Sequence, residues 1–445
     1  MKLGFKSLKH LLVDEFSPFW FVPVVGTGIC STILHSYETS WLLWCSYVMF
    51  GIASLLFLLV LAILLTNIAH TVKNSGLRVY FNKYFNDPSI NIFWAFLPMA
   101  LGTLTNFLSQ LCNLELRNAK NLNRISIVVY SLWCANTIIS IAVAWGINYL
   151  LWRRHESDEV LNYGRFEQKH KAEALKPTHL LPIIPLLVVS STGGLFNMSN
   201  SFAHYIERPI QLSTLIITSL IWLHAIFLAF CVICCSVWSF YANGFPKGKS
   251  AYTMFLVIGP LGQASFGILL LTNNIKHYIL LYLPISDGEF VNARIGNLMA
   301  AMSFKTFGFI AGLALISVGI FFTVTAFAAT LSSHRKTAPN KFKFKHIQFH
   351  KGWWAMPFPL GTMAVASKEF SRQYTSQIES KTFEVIGYIY AAFCTTTVVI
   401  CILGSICIYY IAWEKIALEY QQETVAKESC SYQISALHFD GCLAR

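Results

Sequence analysis

The chain has 445 residues, of which 55% are hydrophobic and only 12% are charged. Soluble domains usually carry about 25% charged residues, so this composition excludes an ordinary soluble protein. The net charge of +12 would suit a nucleic-acid-binding protein, but the basic residues lie in loops between apolar segments. We therefore expect a polytopic α-helical membrane protein whose partner is the lipid bilayer and not a nucleic acid.

Ten segments of the chain are long and apolar enough to cross a membrane, which takes about 20 residues. They give three expected regions: an N-terminal segment at 1–15, a ten-helix transmembrane domain at 16–412 and a C-terminal tail at 413–445. The spans lie at 16–36, 41–70, 91–112, 124–152, 179–197, 209–241, 251–273, 298–332, 352–368 and 384–412.

The basic residues indicate how these spans are oriented. If the N-terminus is cytoplasmic, 23 of the 33 lysines and arginines fall in cytoplasmic segments. Cytoplasmic loops of membrane proteins carry such an excess of positive charge. With an even number of spans, both termini are predicted to be cytoplasmic.

The odd-numbered spans share a pattern that the even-numbered spans lack. A proline is followed by glycine and then by small hydroxylated residues, as in FVPVVGTGICST at 21–32 and PFPLGTMAVAS at 357–367. Proline removes a backbone donor and kinks a helix, and the freed carbonyls are tolerated only beside protein or a wet cavity. The pattern predicts five helical hairpins, with kinked odd helices as an inner ring around a central pore and even helices as an outer ring. The predicted kink residues are Pro23, Gly26, Pro98, Gly102, Pro185, Pro260, Gly262, Pro359 and Gly361.

Uncharged hydrogen-bond donors are concentrated on the odd spans. Donors without a nearby carboxylate suit a small anion. The alternative is that small residues only allow close helix packing. The candidate pore-lining residues are Thr27, Ser31, Thr103, Asn106, Ser191, Thr192, Gln263, Ser265 and Thr362.

Several long stretches resemble a known transporter family. SPFWFVPVVGTGI at 17–29 resembles the opening of the tellurite-resistance/dicarboxylate transporter family, which includes slow anion channels and malate permeases. The stretches at 211–226, 259–278 and 349–363 resemble its fungal sulfite efflux branch. The similarity extends over about residues 10–412.

The resemblance implies a ten-helix pore that a phenylalanine on the ninth helix closes, and this position matches Phe358. On its residues alone, Phe358 is one of 35 phenylalanines, most of which are expected to face lipid or neighbouring helices. The resemblance also implies a homo-oligomer with one pore per subunit.

Two ionisable residues within the spans have open interpretations. His224 in the sixth span would relay protons or hydrogen-bond a neighbouring helix. Lys305 in the eighth span would supply positive potential to an anion vestibule or extend its ammonium to the membrane surface. Cys231, Cys234 and Cys235 are expected to be small apolar helix residues, so no metal site and no cofactor is predicted.

The expected function is export of sulfite or bisulfite across the plasma membrane by a channel-like or uniporter path, which would give sulfite tolerance. A dicarboxylate transporter of the same family is the first alternative. Its substrate should need an arginine or lysine in the middle of an inner span, and the sequence shows none there. A receptor or a membrane-embedded enzyme is the alternative from another class. An enzyme is not expected, because clusters of His, Glu and Asp within the spans are missing.

Overall fold

The computed structural model describes residues 13, 15–116, 121–161, 176–203, 205–283, 290–335, 349–378 and 381–410. The predicted tail at 413–445 and all but two residues of the predicted segment 1–15 lie outside this set. The described chain contains ten long helices and no strand. They are α1 (Val22–His35), α2 (Ser40–Ser75), α3 (Phe96–Asn113), α4 (Leu122–Leu161), α5 (Ile184–Phe196), α6 (Arg208–Asn243), α7 (Ile258–Tyr282), α8 (Phe290–Arg335), α9 (Pro357–Ile378) and α10 (Thr382–Tyr410).

Within the described residues, nine helices are long and apolar enough to cross a membrane. The exception is α9, which has 22 residues but carries Lys368, Glu369 and Arg372 in its second half. The predicted ninth span ended at residue 368, whereas α9 continues to Ile378. The prediction stopped too early because hydropathy treats a charged helical turn as the end of a span.

The five odd-numbered helices form a closed ring. α1 packs against α3, α3 against α5, α5 against α7, α7 against α9, and α9 against α1. In an apolar 18-residue stretch of each span, between 78% and 100% of the residues are buried in the α1, α3, α5 and α7 spans, against 17% to 39% in the even-numbered spans. The exposed faces of the even helices carry large apolar residues such as Leu55 and Phe227. The predicted arrangement of an inner and an outer ring is therefore confirmed.

Glycines make the close contacts between neighbouring inner helices. A methyl group added at Gly262 of α7 would lie 2.8 Å from the backbone nitrogen of Met363 in α9. A similar close contact between a glycine and a residue of the next inner helix recurs around the ring. The pairs are Gly28–Thr103, Gly102–Val188, Gly194–Leu270, Gly262–Thr362 and Gly361–Ile29. Small residues are what allow helices to approach so closely in a membrane.

The prolines that were predicted to kink the inner helices lie in the first turns of these helices. Pro23 is the second residue of α1, Pro98 the third of α3, Pro185 the second of α5, Pro260 the third of α7 and Pro359 the third of α9. A first-turn proline costs little, because its missing N–H would have no partner inside the helix. A 3₁₀ segment precedes each inner helix: Pro18–Phe21, Ile92–Ala95, Pro177–Leu180, Gly248–Val257 and Lys351–Ala355.

Candidate anion pathway

A cavity of about 160 Å³ lies where the inner helices begin. We call it the N-terminal cavity. All five inner helices, or the 3₁₀ segments before them, contribute to its wall, with Val22, Phe96, Ile184, Leu256 and Phe358 as examples. The described charged residues in its lining are Lys249 and Lys351, which are both basic.

The helix ends around this cavity reinforce its positive potential. The N-terminus of an α-helix carries a partial positive charge of about half a unit. Because α1, α3, α5, α7 and α9 all begin at this side, five such ends surround the N-terminal cavity. The arrangement favours the accumulation of anions there.

Phe358 separates the N-terminal cavity from a second, smaller one. The small cavity has a volume of about 10 Å³, which is room for about one water molecule. Phe358 contributes to the walls of both cavities and is only 6% exposed. The other residues of the small cavity are Ile29, Thr32, Thr103, Asn106, Val188, Gln263, Phe266 and Val365.

The polar atoms of the small cavity are amides and hydroxyls. The Gln263 side-chain amide donates a hydrogen bond to the Ser191 hydroxyl, which in turn donates to the Val188 carbonyl oxygen at 2.9 Å. The buried Asn106 carbonyl oxygen has no hydrogen-bond partner among the described atoms. No carboxylate belongs to the described lining of either cavity. The ring therefore holds a narrow, uncharged constriction next to a positively charged cavity.

Residues 15–406 match the family model described as SLAC1, voltage-dependent anion channel. The chain belongs to this family. It is 39% identical over 402 residues to the sulfite efflux pump SSU1 of Saccharomyces cerevisiae, covering 89% of this chain and 88% of the relative.

More distant relatives have the same printed name. The Candida albicans protein is 28% identical over 89% of this chain and 74% of its own length. The Arthroderma otae protein is 22% identical over 85% of this chain and 86% of its own length. The resemblance that the sequence indicated is thus confirmed: the chain is a SLAC1-family protein similar to fungal sulfite efflux pumps.

Three of the nine predicted polar residues of this SLAC1-family chain line the small cavity, namely Thr103, Asn106 and Gln263. Ser191 stands behind Gln263 as its hydrogen-bond acceptor. Ser265 points away from the ring centre, because its hydroxyl donates to the Gly312 carbonyl oxygen of the outer helix α8 at 2.9 Å.

The remaining predicted hydroxyls donate to carbonyl oxygens of their own helices and contribute to neither cavity. Such bonds to the preceding turn are the usual partners of Ser and Thr inside helices. They join Thr27 to Pro23 at 2.7 Å, Ser31 to Gly28 at 2.7 Å, Thr192 to Val188 at 2.8 Å and Thr362 to Pro359 at 2.7 Å.

Sequence reasoning missed several residues of the pathway. Thr32 lines the small cavity, and it directly follows the predicted Ser31 in the same run of small polar residues of α1. Lys249 and Lys351 were treated only as topology signals. Their positions directly before two inner spans would have placed them at a pore mouth.

The two ionisable candidates, His224 and Lys305, have different surroundings and line neither cavity. His224 is on the exposed outer face of α6, where its Nε2 atom accepts a hydrogen bond from the Trp145 indole at 3.1 Å. This geometry favours the helix-bonding alternative over a proton relay. Lys305 is 8% exposed, and its ammonium lies 4.9 Å from the centre of the Tyr374 ring. The exposed Cys231, Cys234 and Cys235 lie on α6.

The inner helices also carry cations at or beyond the ends of the predicted spans. Lys276 is in the last turns of α7, and Lys368 and Arg372 are in the second half of α9. Basic residues are therefore missing from the described lining of the small cavity but not from the whole length of the inner helices. This weakens the sequence-based reason for setting aside a dicarboxylate substrate.

Proposed function

We propose that this chain exports sulfite or bisulfite across the plasma membrane by a channel-like or uniporter path, with Phe358 as the gate. The observation that carries the proposal is the position of Phe358 between the N-terminal cavity and the small cavity. A bulky, uncharged ring at this point blocks the path, and a rotation of its side chain joins the two cavities. The similarity to fungal sulfite efflux pumps supports sulfite as the substrate.

The electrostatics of the path suit an anion. Five helix N-termini, Lys249 and Lys351 attract it to the N-terminal cavity, and amide and hydroxyl groups accompany it through the small cavity. A small oxyanion loses its water there and needs hydrogen-bond donors in return. The side-chain amides of Asn106 and Gln263 would donate these hydrogen bonds to the anion.

The direction of transport follows from the proposed topology. With both chain termini cytoplasmic, as the distribution of lysine and arginine supports, the N-terminal cavity opens to the cytoplasm. A membrane potential of about 100 mV, negative inside, is worth about 2.3 kcal/mol per charge. This favours outward movement of a monoanion by about 50-fold, so export needs no further energy source. We infer that such export gives the cell tolerance to sulfite.

A dicarboxylate such as malate is the second candidate substrate. Lys249 and Lys351 at the N-terminal cavity would provide a partner for each of its carboxylates. The small cavity, by contrast, contains no cation among its described lining residues. The constriction therefore favours the smaller anion.

We also infer a homo-oligomer with one pore per subunit, which native mass spectrometry of the purified protein would test.

The experiment measures sulfite efflux from sulfite-loaded yeast cells that lack their own exporter and express this chain. Wild type, Phe358→Ala and Phe227→Ala are compared, each with and without malate as a competing anion. Phe227 is the matched control, because it is 68% exposed on the outer face of α6. We expect saturable efflux that malate does not inhibit, at least tenfold faster in Phe358→Ala and unchanged in Phe227→Ala.

Two outcomes would contradict the proposal in different ways. Malate transport in place of sulfite transport would move the function to the dicarboxylate branch and leave the gate intact. Equal sulfite efflux in wild type and Phe358→Ala, at equal amounts of protein in the membrane, would exclude Phe358 as the gate.

A further inference from the structure

One face of α9 leads from the gate to the opposite end of the ring. Phe358 and Val365 line the small cavity, and Glu369 and Arg372 follow at four and seven positions beyond Val365. Residues at these spacings share one face of a helix. Glu369 is only 5% exposed, so a buried carboxylate lies one turn beyond the small cavity. We call this end of the ring the C-terminal mouth.

Glu369 holds the Arg372 guanidinium through two parallel hydrogen bonds. The Arg372 Nε atom donates to Glu369 Oε2 at 2.9 Å, and Nη2 donates to Oε1 at 2.7 Å. A guanidinium has five N–H donors, so three remain after these two bonds. The Arg372 side chain is 62% exposed, so its unused donors are accessible at the surface.

Lys305 of α8 adds a buried positive charge behind this pair. Its ammonium lies 3.5 Å from the Gln373 carbonyl oxygen and 4.9 Å from the centre of the Tyr374 ring. The Tyr374 hydroxyl donates to the Lys305 carbonyl oxygen at 2.9 Å, which fixes the two helices together. No described carboxylate forms an ion pair with Lys305.

The C-terminal mouth as a whole is positive. Lys276 and His277 at the end of α7 lie close enough to Lys305 to interact with it electrostatically, and His277 also interacts with Arg372. Against these groups, the described part of the cluster contains a single carboxylate, that of Glu369. A buried cation without a counter-ion is costly, and an oxyanion at this mouth would reduce that cost.

We propose that Arg372, held in place by Glu369 and reinforced by Lys305, forms a binding site for a small oxyanion at the C-terminal mouth. The proposal rests on the proposed function, since it makes this site the last one that the exported anion occupies. The free N–H groups of Arg372 bind the oxygens of the anion, and Lys305 contributes through its field. Arginine is well suited to planar recognition of oxyanions.

Glu369 has a second role, which is to keep the binding weak. Conduction requires a site that is favourable enough to enter but weak enough to leave. The Glu369 carboxylate occupies two donors of Arg372 and repels the passing anion. Its removal therefore strengthens binding at this mouth and slows release.

The test measures how external sulfate slows sulfite efflux from the same loaded cells, at constant ionic strength and membrane potential. Sulfate serves as a small oxyanion probe that reaches the C-terminal mouth from outside. The variants are Lys305→Gln, Lys305→Arg, Glu369→Gln and the double variant Glu369→Gln with Arg372→Gln, which leaves no unpaired buried carboxylate. Lys381→Gln is the control, because it removes one charge from an exposed position before α10.

We expect the half-inhibitory sulfate concentration to rise about tenfold in Lys305→Gln and in the double variant. It should fall severalfold in Glu369→Gln and stay at the wild-type value in Lys305→Arg and Lys381→Gln. Wild-type efflux that sulfate does not slow, or equal sensitivity in all variants, would overturn the site while leaving sulfite export intact. Wild-type cells without any sulfite efflux would instead refute the proposed function.

Discussion

Gly361 of α9 lies directly against Ile29 of α1, and this contact closes the inner ring. A methyl group at Gly361 would come within 2.9 Å of Ile29 Cγ1 and within 3.0 Å of two further atoms of that side chain. Ile29 also lines the small cavity. The packing that closes the ring thus also sets the width of the constriction.

Gly361→Ala is therefore expected to destabilise the protein. Overpacking a tight interface typically costs about 1–3 kcal/mol, because α9 and α1 have to move apart. Gly146→Ala is the matched control, since no atom lies within 4 Å of a methyl group at that position on α4. Thermal unfolding of the purified variants in detergent measures both. Equal midpoints for the two variants would show that the ring tolerates the extra methyl.

The ring itself was predictable because its signals are local and repeated. A proline followed by glycine recurs in every odd span. The glycines of this pattern allow the inner helices to approach one another closely, so the repeat indicates the helices that lie inside. The positions of the prolines were less predictable. A first-turn proline such as Pro23 and a mid-helix proline look alike until the start of the helix is known.

The polar residues of the path were predicted less well, because the sequence does not give the rotation of each helix about its axis. Ser265 and Gln263 are two positions apart on α7, yet Gln263 faces the small cavity and Ser265 faces α8. The end of α9 was predicted wrongly for a different reason. Glu369 and Arg372 neutralise each other, and a hydropathy scale counts them as two separate charges.

Gln263 provides a direct test of the selectivity of the small cavity. Gln263→Glu places a carboxylate in a narrow, poorly solvated space, where repulsion between like charges is strong. We expect sulfite efflux to fall at least tenfold. Gln263→Leu removes the amide donor without adding charge, so its efflux should fall less. Efflux from loaded cells, corrected for the amount of protein in the membrane, measures both variants.

Ser265→Ala is the control for this pair, because the hydroxyl that it removes bonds to α8 and contributes to neither cavity. Its efflux should remain within twofold of wild type. Unchanged efflux in Gln263→Glu would show that the anion does not pass through the small cavity.

The lysines of the N-terminal cavity should act through long-range attraction. Replacing Lys249 and Lys351 together by glutamine removes two charges from the cavity lining. We expect a severalfold lower efflux at low ionic strength and a much smaller difference at high ionic strength, because salt screens exposed charges. Purified protein in liposomes allows the salt concentration to be varied. Lys247→Gln is the control, since Lys247 is exposed next to the cavity but does not line it.

Substitution of His224 distinguishes a role as a proton relay from a role as a contact between outer helices. Its imidazole is on the exposed face of α6, and its described hydrogen bond is the one that it accepts from Trp145 of α4. A relay has to face the path of the proton, and this histidine faces away from both cavities. His224→Phe should therefore leave the sulfite efflux rate and its dependence on pH within twofold of wild type. Trp145→Phe, which removes the donor and keeps the histidine, should behave in the same way. If the pH dependence disappears in His224→Phe and persists in Trp145→Phe, the histidine itself carries protons and the channel-like mechanism is wrong.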